Sequence, residues 1–489
     1  MKIYYLIVML GVLGWISCQP AEEERLSDFY TIENIPLPEG LMAEVGGMDF
    51  MPDGRMIACF HRGEVMTYDV ETQQWKVFAE GLHDPLGVHV ISNREVWVMQ
   101  RPELTKLVDN DGDGVAEEYM VITDDFGMSG NYHEFAYGPE PDGHGDFFIA
   151  LNCASGNAGI WDELRGAYNP LGREGKMYSC VPYRGWVMKL DQEGNLMPWA
   201  YGFRSPNGLG TDQEGNLFVT DNQGDWLGTS KLYHVEKDHF YGHVSSLVWQ
   251  PGWDVDPLTL PVATLDSLRT RAAVLFPQNI MADSPTQPLC IPKEIDFGPF
   301  AGQLLVGEMD FPRIMRVMLE KVKGKYQGAC VSFMDSTGLT LGNNRMVFAP
   351  DGSLWVGKSQ YAWVGERGIQ RIVYNGGTPM DVYTMNIIPN GFDLTFTRPV
   401  DEALASHPEN YQFQRYYYAY HEDYGSDRMD ITKVDVKTVD ISEDGKKVSL
   451  TLSEMVPGYV YDLTIQNLKS KKGVVLKNNR LFYTVNHVL

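Results

Sequence analysis

The stretch GGMDFMPDGRMIACFHRGEVMTYD, residues 46–69, decides the fold. An apolar pair enters a turn at Pro52-Asp53-Gly54. The strand GRMIACF then alternates apolar and polar residues, and VMTYD closes the unit. Asp-Gly supplies the positive-φ positions that a tight hairpin requires, and strict alternation is the pattern of a half-buried strand.

The same texture returns along the chain. It reads PLGVHVISNREVWVMQRPELTKLVD from Pro85, HEFAYGPEPDGHGDFFIALN from His133 with GWVMKLD from Gly185, and NGLGTDQEGNLFVTDNQG from Asn207 with KLYHV from Lys231. It returns again as FAGQLLVGEMDFPRIMRVML from Phe300, and as NRMVFAPDGSLWVGKSQ from Asn344 with GIQRIVY from Gly368. Six antiparallel units of this kind predict an all-β, six-bladed β-propeller over 32–380. An array of β-sandwiches or two stacked domains is the alternative. Helical periodicity is scarce, residues 258–274 being the best candidate. A Pro-containing insert, 254–294, separates the fourth and fifth units and reads as a cover over one mouth.

From Asp381 the repeat stops. NGFDLTFTRPVD, YQFQRYYYAY, DITKVDVKTVDIS, KKVSLTLS, GYVYDLTIQN and RLFYTVN are short alternating strands over about a hundred residues. They predict a small immunoglobulin-like β-sandwich at 381–489, a module expected to space or dock the propeller.

The N-terminus carries an address. Met1-Lys2, an apolar run and Ser17-Cys18 read as a signal peptide over 1–18, too short for a spanning helix. Ser-Cys at that border looks like a lipobox, with Cys18 the lipidated residue. A plain secretory signal is the alternative. Residues 19–31 read as an acidic tether, and QPAEEE resembles the surface-export signal of Bacteroidota lipoproteins. The expected location is therefore the bacterial outer membrane, held by the lipid alone and facing the periplasm or the outside.

The net charge of −25, from 65 acidic and 40 basic residues, argues against nucleic-acid binding and favours neutral or cationic small molecules such as sugars. The other five cysteines are scattered, with no CxxC and no CxxCH, so zinc ribbons and covalent haem lack support.

DNDGDGVAE, residues 109–117, is the sharpest local motif. Asp109, Asp111, Asp113, the Val115 carbonyl and Glu117 gather hard oxygens as Ca²⁺ requires. Met120 occupies the twelfth position and no helices flank the loop, so it is not an EF-hand. A metal-free acidic turn is the alternative.

YGFRSPNGLGTDQEGNLFVTDNQGDW, residues 201–226, resembles the sugar and sorbosone dehydrogenases, the group that includes soluble quinoprotein glucose dehydrogenase. Arg204, Pro206, Gly208, Leu209 and Tyr241-Gly242 carry the likeness, together with NYHEFAYGPEPDG from Asn131. GPFAGQLLVGEMD from Gly298 also looks like larger dehydrogenase-like propellers of Bacteroidota and Planctomycetes, many of which bear a CxxCH tail that this chain lacks. The resemblance implies oxidation of a carbohydrate or polyol hydroxyl through pyrroloquinoline quinone and Ca²⁺, with an external electron acceptor. It makes His133 the general base and Arg204 the group that polarises the quinone. Asn222, Gln223, Gly224, Asp225 and Trp226 would hold the cofactor and its calcium, with Arg345 and Lys358 as further cofactor candidates. The chain departs from the family at Asp225, where Pro is expected, and at Tyr132, where the glucose enzyme has Asp. Two other readings stand beside this one. One is a cofactor-free glycan-binding or scaffold propeller. The other is a hydrolase or lyase that pairs His133 with Glu134 or Asp225. Trp226, Trp249, Trp253, Tyr361 and Trp363 are candidates either for sugar stacking or for blade packing.

Overall fold

The computed structural model describes residues 24–335, 338–361 and 363–489; Cys18 and most of the acidic run lie outside them. Six four-stranded units follow in chain order, and their innermost strands are Val45–Phe50, Gly87–Val90, Ala136–Pro141, Pro206–Thr211, Pro285–Cys290 and Asn343–Phe348. The fold is the six-bladed propeller. Blade six takes its outermost strand from the N-terminus, with Tyr30–Asn34 pairing antiparallel to Gly368–Tyr374. The tether expected at 19–31 therefore ends earlier, because Tyr30 and Thr31 belong to this closing strand. Ring closure by a distant strand covers the edge of Gly368–Tyr374 and fastens the start of the repeat to its end.

The insert at 254–294 is not a single cover. Val262–Leu268 is a short helix within the longer stretch expected, Val274–Phe276 is the outer strand of blade four, and Pro285–Cys290 is the inner strand of blade five. The cover comes instead from blade three, whose chain runs out between Phe147–Leu151 and Trp186–Leu190 and folds a small ribbon of Ala154–Ser155 on Met177–Tyr178.

Inner strands converge closely enough that side chains are excluded at some positions. A Cβ on Gly87 would stand 1.8 Å from the Gly138 carbonyl oxygen, and one on Gly208 would stand 2.4 Å from Cα of Gln287. Only glycine fits where neighbouring backbones meet this closely. On the axis, the Arg345 guanidinium donates to the carbonyls of Gly46, Asn207 and Asn344 at 2.9, 3.0 and 2.8 Å, tying blades one, four and six together.

The C-terminal unit is a sandwich of two four-stranded layers around a core that includes Phe392, Phe413, Tyr461 and Tyr483. One layer is ordered Val382–Ile388, Gly391–Phe396, Lys447–Leu452, Val436–Ile441. The other is Arg480–Val485, Tyr459–Ile465, Tyr411–Tyr418, Arg428–Val434. This second layer continues into the propeller. Gly328, Ala329 and Cys330 of blade five pair with Thr484, Tyr483 and Phe482, making one eight-stranded sheet. No helix among the described residues is long and apolar enough to cross a membrane. The five cysteines there are free, and four of them are buried.

Candidate functional site

Each inner strand starts, and each second strand ends, at the same mouth of the propeller. The residues at those points surround a cavity of about 570 Å³, which His61, His133, Arg204, Asp283, Asp310 and Tyr361 help to line. His133 and Arg204, one from the start of blade three and one from the start of blade four, thus meet in one space.

His133 is held by both ring nitrogens. Its Nδ1 faces the Cys153 carbonyl at 2.9 Å, which places the proton there, and Nε2 faces the Ser205 hydroxyl at 3.3 Å. Burial, then the nearby Arg204 guanidinium, depresses its pKa to about 4, so the ring is neutral at ordinary pH. The Arg204 and Ser205 amides both donate to the buried Asp221 carboxylate at 2.8 Å, which anchors this corner of blade four.

Arg204 is not a free cation. Its Nε donates to Asp225 Oδ1 at 2.8 Å, and Asp225 Oδ2 faces His243 Nε2 at 3.3 Å and accepts from the Met177 amide at 3.1 Å. Burial works to raise Asp225, but His243 and Arg204 overcome it and hold the carboxyl well below its usual range. Burial likewise opposes charge on His243, yet Asp225 prevails and lifts it to about 9. Arg204 lies flat over Gly224, where a Cβ would stand 1.9 Å from its Nε.

These contacts revise the loop at 222–226. Asn222 and Gln223 line the cavity, whereas Gly224 is covered by Arg204 and Asp225 serves as the counter-ion of Arg204 and His243. Trp226 is 4% exposed and packs with Phe240, Val244 and Tyr420. Arg345 is occupied by the blade carbonyls and faces the opposite mouth. Lys358 is turned to the Thr340 carbonyl and Asn343, and burial lowers its pKa to about 7. Glu134 accepts from the Ser129 amide and hydroxyl, both at 2.7 Å, and is buried away from the cavity. Of the tryptophans and tyrosines singled out, Tyr361 and Trp363 reach the cavity; Trp249 is bonded to Ser179, and Trp253 packs beside Trp226.

The opposite wall was not legible in advance. His61 Nδ1 meets Asp84 Oδ1 at 2.8 Å, and Arg101 Nε donates to Asp84 Oδ2 at 3.1 Å. Blade five adds Asp283 and Asp310. Burial raises both carboxyls above their usual range, and Asp283 raises Asp310 further. Behind them Glu308, fully buried, is pushed to about 8 by burial. Four exposed rings line the cavity: Tyr132, Tyr361, Trp363 and, from the sandwich, Tyr424. Tyr424 is placed there by backbone contacts between the two units, including the Gly425 amide on the Gly224 carbonyl at 3.0 Å, and its ring lies 5.3 Å from the Arg204 guanidinium.

The Asp109 loop lies elsewhere. It joins Leu104–Val108 to Glu118–Thr123, the third and fourth strands of blade two, and alternating strand direction puts it at the end of the propeller away from the cavity. Carboxylate oxygens of Asp109, Asp111, Asp113 and Glu117 lie within 4.8 Å of one another, a spacing that fits a hard cation.

Pyrroloquinoline quinone is a flat polycarboxylate. Among the described lining residues, the cavity offers it Lys176 and the already paired Arg204, and opposes it with Asp283 and Asp310. A polyanion here would raise the already elevated carboxyls further. The donor set implied by the family resemblance does not fit the quinone.

The family described as "Domain of unknown function (DUF7133)" matches residues 64–250. No curated protein matches the chain. Among solved structures, the chain is similar to the PQQ-bound aldose sugar dehydrogenase of Streptomyces coelicolor, with 12% identity, 73% of this chain and 99% of that one covered, and a TM-score of 0.48. It is also similar to the soluble aldose sugar dehydrogenase of Escherichia coli in the apo form, with 13% identity, 70% and 99% coverage, and a TM-score of 0.48. The holo PQQ domain of pyranose dehydrogenase from Coprinopsis cinerea follows at 12% identity, 70% and 95% coverage, and a TM-score of 0.43. What the chain shares with these sugar dehydrogenases is the propeller fold.

Proposed function

We propose that the chain is a carbohydrate-processing propeller whose central cavity binds a sugar or polyol and ionises one of its hydroxyls. One observation carries this reading: imidazole rings and the Arg204 guanidinium face a single cavity rimmed by the exposed rings of Tyr132, Trp363 and Tyr424. Aromatic faces suit the apolar face of a pyranose. A neutral imidazole accepts a hydroxyl hydrogen bond, which makes His133 a group that orients the sugar. A fixed guanidinium stabilises the oxyanion that deprotonation leaves.

Two reactions follow from such a site. Oxidation of that hydroxyl is the form the family resemblance implies, and the charges of the cavity do not suit the pyrroloquinoline quinone which that form calls for. Acid–base cleavage of a glycan is the second reading, and Asp283 and Asp310 favour it: carboxyls raised by burial can keep a proton to donate. They take the role that sequence reasoning assigned to Glu134 or Asp225. Thermal unfolding against a panel of neutral sugars and polyols, with an absorbance titration of pyrroloquinoline quinone and Ca²⁺, tests the proposal. A carbohydrate that raises the Tm supports it, and a panel with no effect overturns it. Stoichiometric quinone uptake with sugar-dependent dye reduction assigns the oxidative form; carbohydrate binding without quinone uptake assigns cleavage.

Three subsidiary proposals accompany this one. Export and anchoring through Cys18 predict that Cys18→Ala leaves membranes; continued membrane fractionation overturns that. Calcium at Asp109, Asp111, Asp113, the Val115 carbonyl and Glu117 predicts a Tm lowered by a chelator. An immunoglobulin-like assignment of the sandwich is supported by its strand order: lettered A to G along the chain, with an extra strand after C, its layers run A-B-E-D and G-F-C.

A further inference from the structure

We infer that His61 is the general base of the cavity, with Asp84 and Arg101 as its positioning residues. The inference rests on the functional reading above and names the atom that takes the proton.

A general base needs an unprotonated nitrogen facing the substrate and surroundings that favour the imidazolium it becomes. The two cavity imidazoles differ on the second requirement. His133 gives its Nδ1 proton to a peptide carbonyl, which carries no charge to offset an imidazolium, and it lies near the Arg204 and Arg101 guanidinium groups. His61 has its Nδ1 on a carboxylate, Asp84, at 2.8 Å. Arg101 grips the other oxygen of that carboxylate through Nε and Nη2, at 3.1 and 2.5 Å, and anchors itself by Nη1 on the Tyr132 carbonyl at 2.6 Å. Burial works to raise Asp84, but His61 and Arg101 overcome it and keep the carboxyl below its usual range. The Asp84 backbone sits at φ 54°, the left-handed region that few residues besides Gly, Asn and Asp enter readily.

The remaining surroundings of His61 fix the ring and leave Nε2 with one long protein contact, the Ser359 hydroxyl, which a substrate hydroxyl can replace. Tyr361 stacks on it with ring centres 4.3 Å apart, and the Ser359 hydroxyl stands 3.4 Å from Nε2, at the cavity surface. The His61 amide donates to the Glu44 carbonyl, and the Glu44 carboxylate is turned to Arg367. In the reaction the substrate O–H bond breaks and its proton forms an Nε2–H bond on His61. Asp84 remains ionised beside the imidazolium, as a carboxylate does in other His–Asp pairs.

Turnover of His61→Gln, His133→Gln and Asp84→Asn is compared on the whole chain, with circular dichroism confirming that each variant is folded. His61→Gln is expected to cut kcat more than His133→Gln does, and Asp84→Asn to cut it about tenfold or more. The reverse order of the two histidine variants overturns the proposal, and an unmoved kcat in a folded Asp84→Asn overturns its positioning role. Because the two histidine variants decide the base assignment alone, failure of Asp84→Asn to fold does not remove the test. On a carbohydrate that the panel identifies as a substrate, His61→Gln is expected to cut kcat about 10²-fold and remove the acid limb of the pH profile, with little change in KM. Turnover that keeps its kcat and pH profile in His61→Gln overturns the base assignment and leaves the functional reading standing. Absence of any carbohydrate turnover by the wild type overturns the functional reading itself, and the base assignment with it.

Discussion

Two Arg–Asp–His units stand on this propeller, built from the same three side-chain types and differing in what the histidine can reach. In Arg204–Asp225–His243 the ring is sealed, 0% exposed, with Nε2 on Asp225 and Nδ1 on Ser245. In Arg101–Asp84–His61 the carboxylate takes only Nδ1, and Nε2 faces the cavity with the Ser359 hydroxyl 3.4 Å away. In both, an aspartate is held ionised between a guanidinium and an imidazole. Such a unit is a structural tie when both ring nitrogens are sealed inside the protein, and a reactive one when one ring nitrogen reaches the cavity.

Breaking the sealed unit should have the largest effect. Asp225→Asn leaves a guanidinium and a histidine without their shared carboxylate, and should cost about 3–5 kcal/mol, read as a lower denaturant midpoint. The same unit in the open position should answer differently. His61→Gln should lower turnover about 10²-fold, equivalent to about 2.7 kcal/mol of barrier, with the denaturant midpoint nearly unchanged. Acidity sharpens the contrast next. His243 is raised to about 9, so its contribution to stability is full below the unfolded value near 6.5 and is lost as pH rises through about 9. Comparing wild type with His243→Asn across that window should isolate a loss of about 3 kcal/mol. His133 runs the other way. Lowered to about 4, it adds stability as pH rises from about 4 to 6.5, a rise that His133→Gln should flatten. The smallest effect belongs to the rim. Tyr424→Ala removes one cation–π contact with Arg204 and should weaken carbohydrate binding by about 1 kcal/mol or less, measured calorimetrically.

Much of the propeller was legible because its signals are local. Asp53-Gly54 and Asp351-Gly352 sit in hairpins with the glycines at φ 91° and 85°, as their dipeptides require. Two strands escaped for opposite reasons. Tyr30–Asn34 looks like part of a tether because its partner, Gly368–Tyr374, lies at the far end of the ring. Pro285–Cys290 contains two prolines, which argue against a strand by composition; the register shift between Pro285 and Pro288 lets the chain carry them. The site was legible only in part. His133 and Arg204 could be read from their local segments, and they do share a cavity. Asp225 could not be recognised as a counter-ion, because His243 and the Met177 amide reach it from other segments. Asp84 carries no motif at all: it joins His61, 23 residues earlier, to Arg101, 17 residues later.

The continuous sheet between blade five and the sandwich has a practical consequence for anyone shortening this protein. Lys325–Asp335 is a long outer strand whose middle residues are buried, and Arg480–Val485 occupies its hydrogen-bonding edge. Cutting the chain near residue 380 would strip that edge bare, and a bare apolar strand edge recruits other chains. A truncated propeller should therefore precipitate or form soluble aggregates where the full chain stays dispersed. The far edge of the same sheet, Arg428–Val434, is already guarded by Arg428, Asp430 and Lys433. The sandwich thus relocates the vulnerable border of a blade to a strand whose charges discourage further growth.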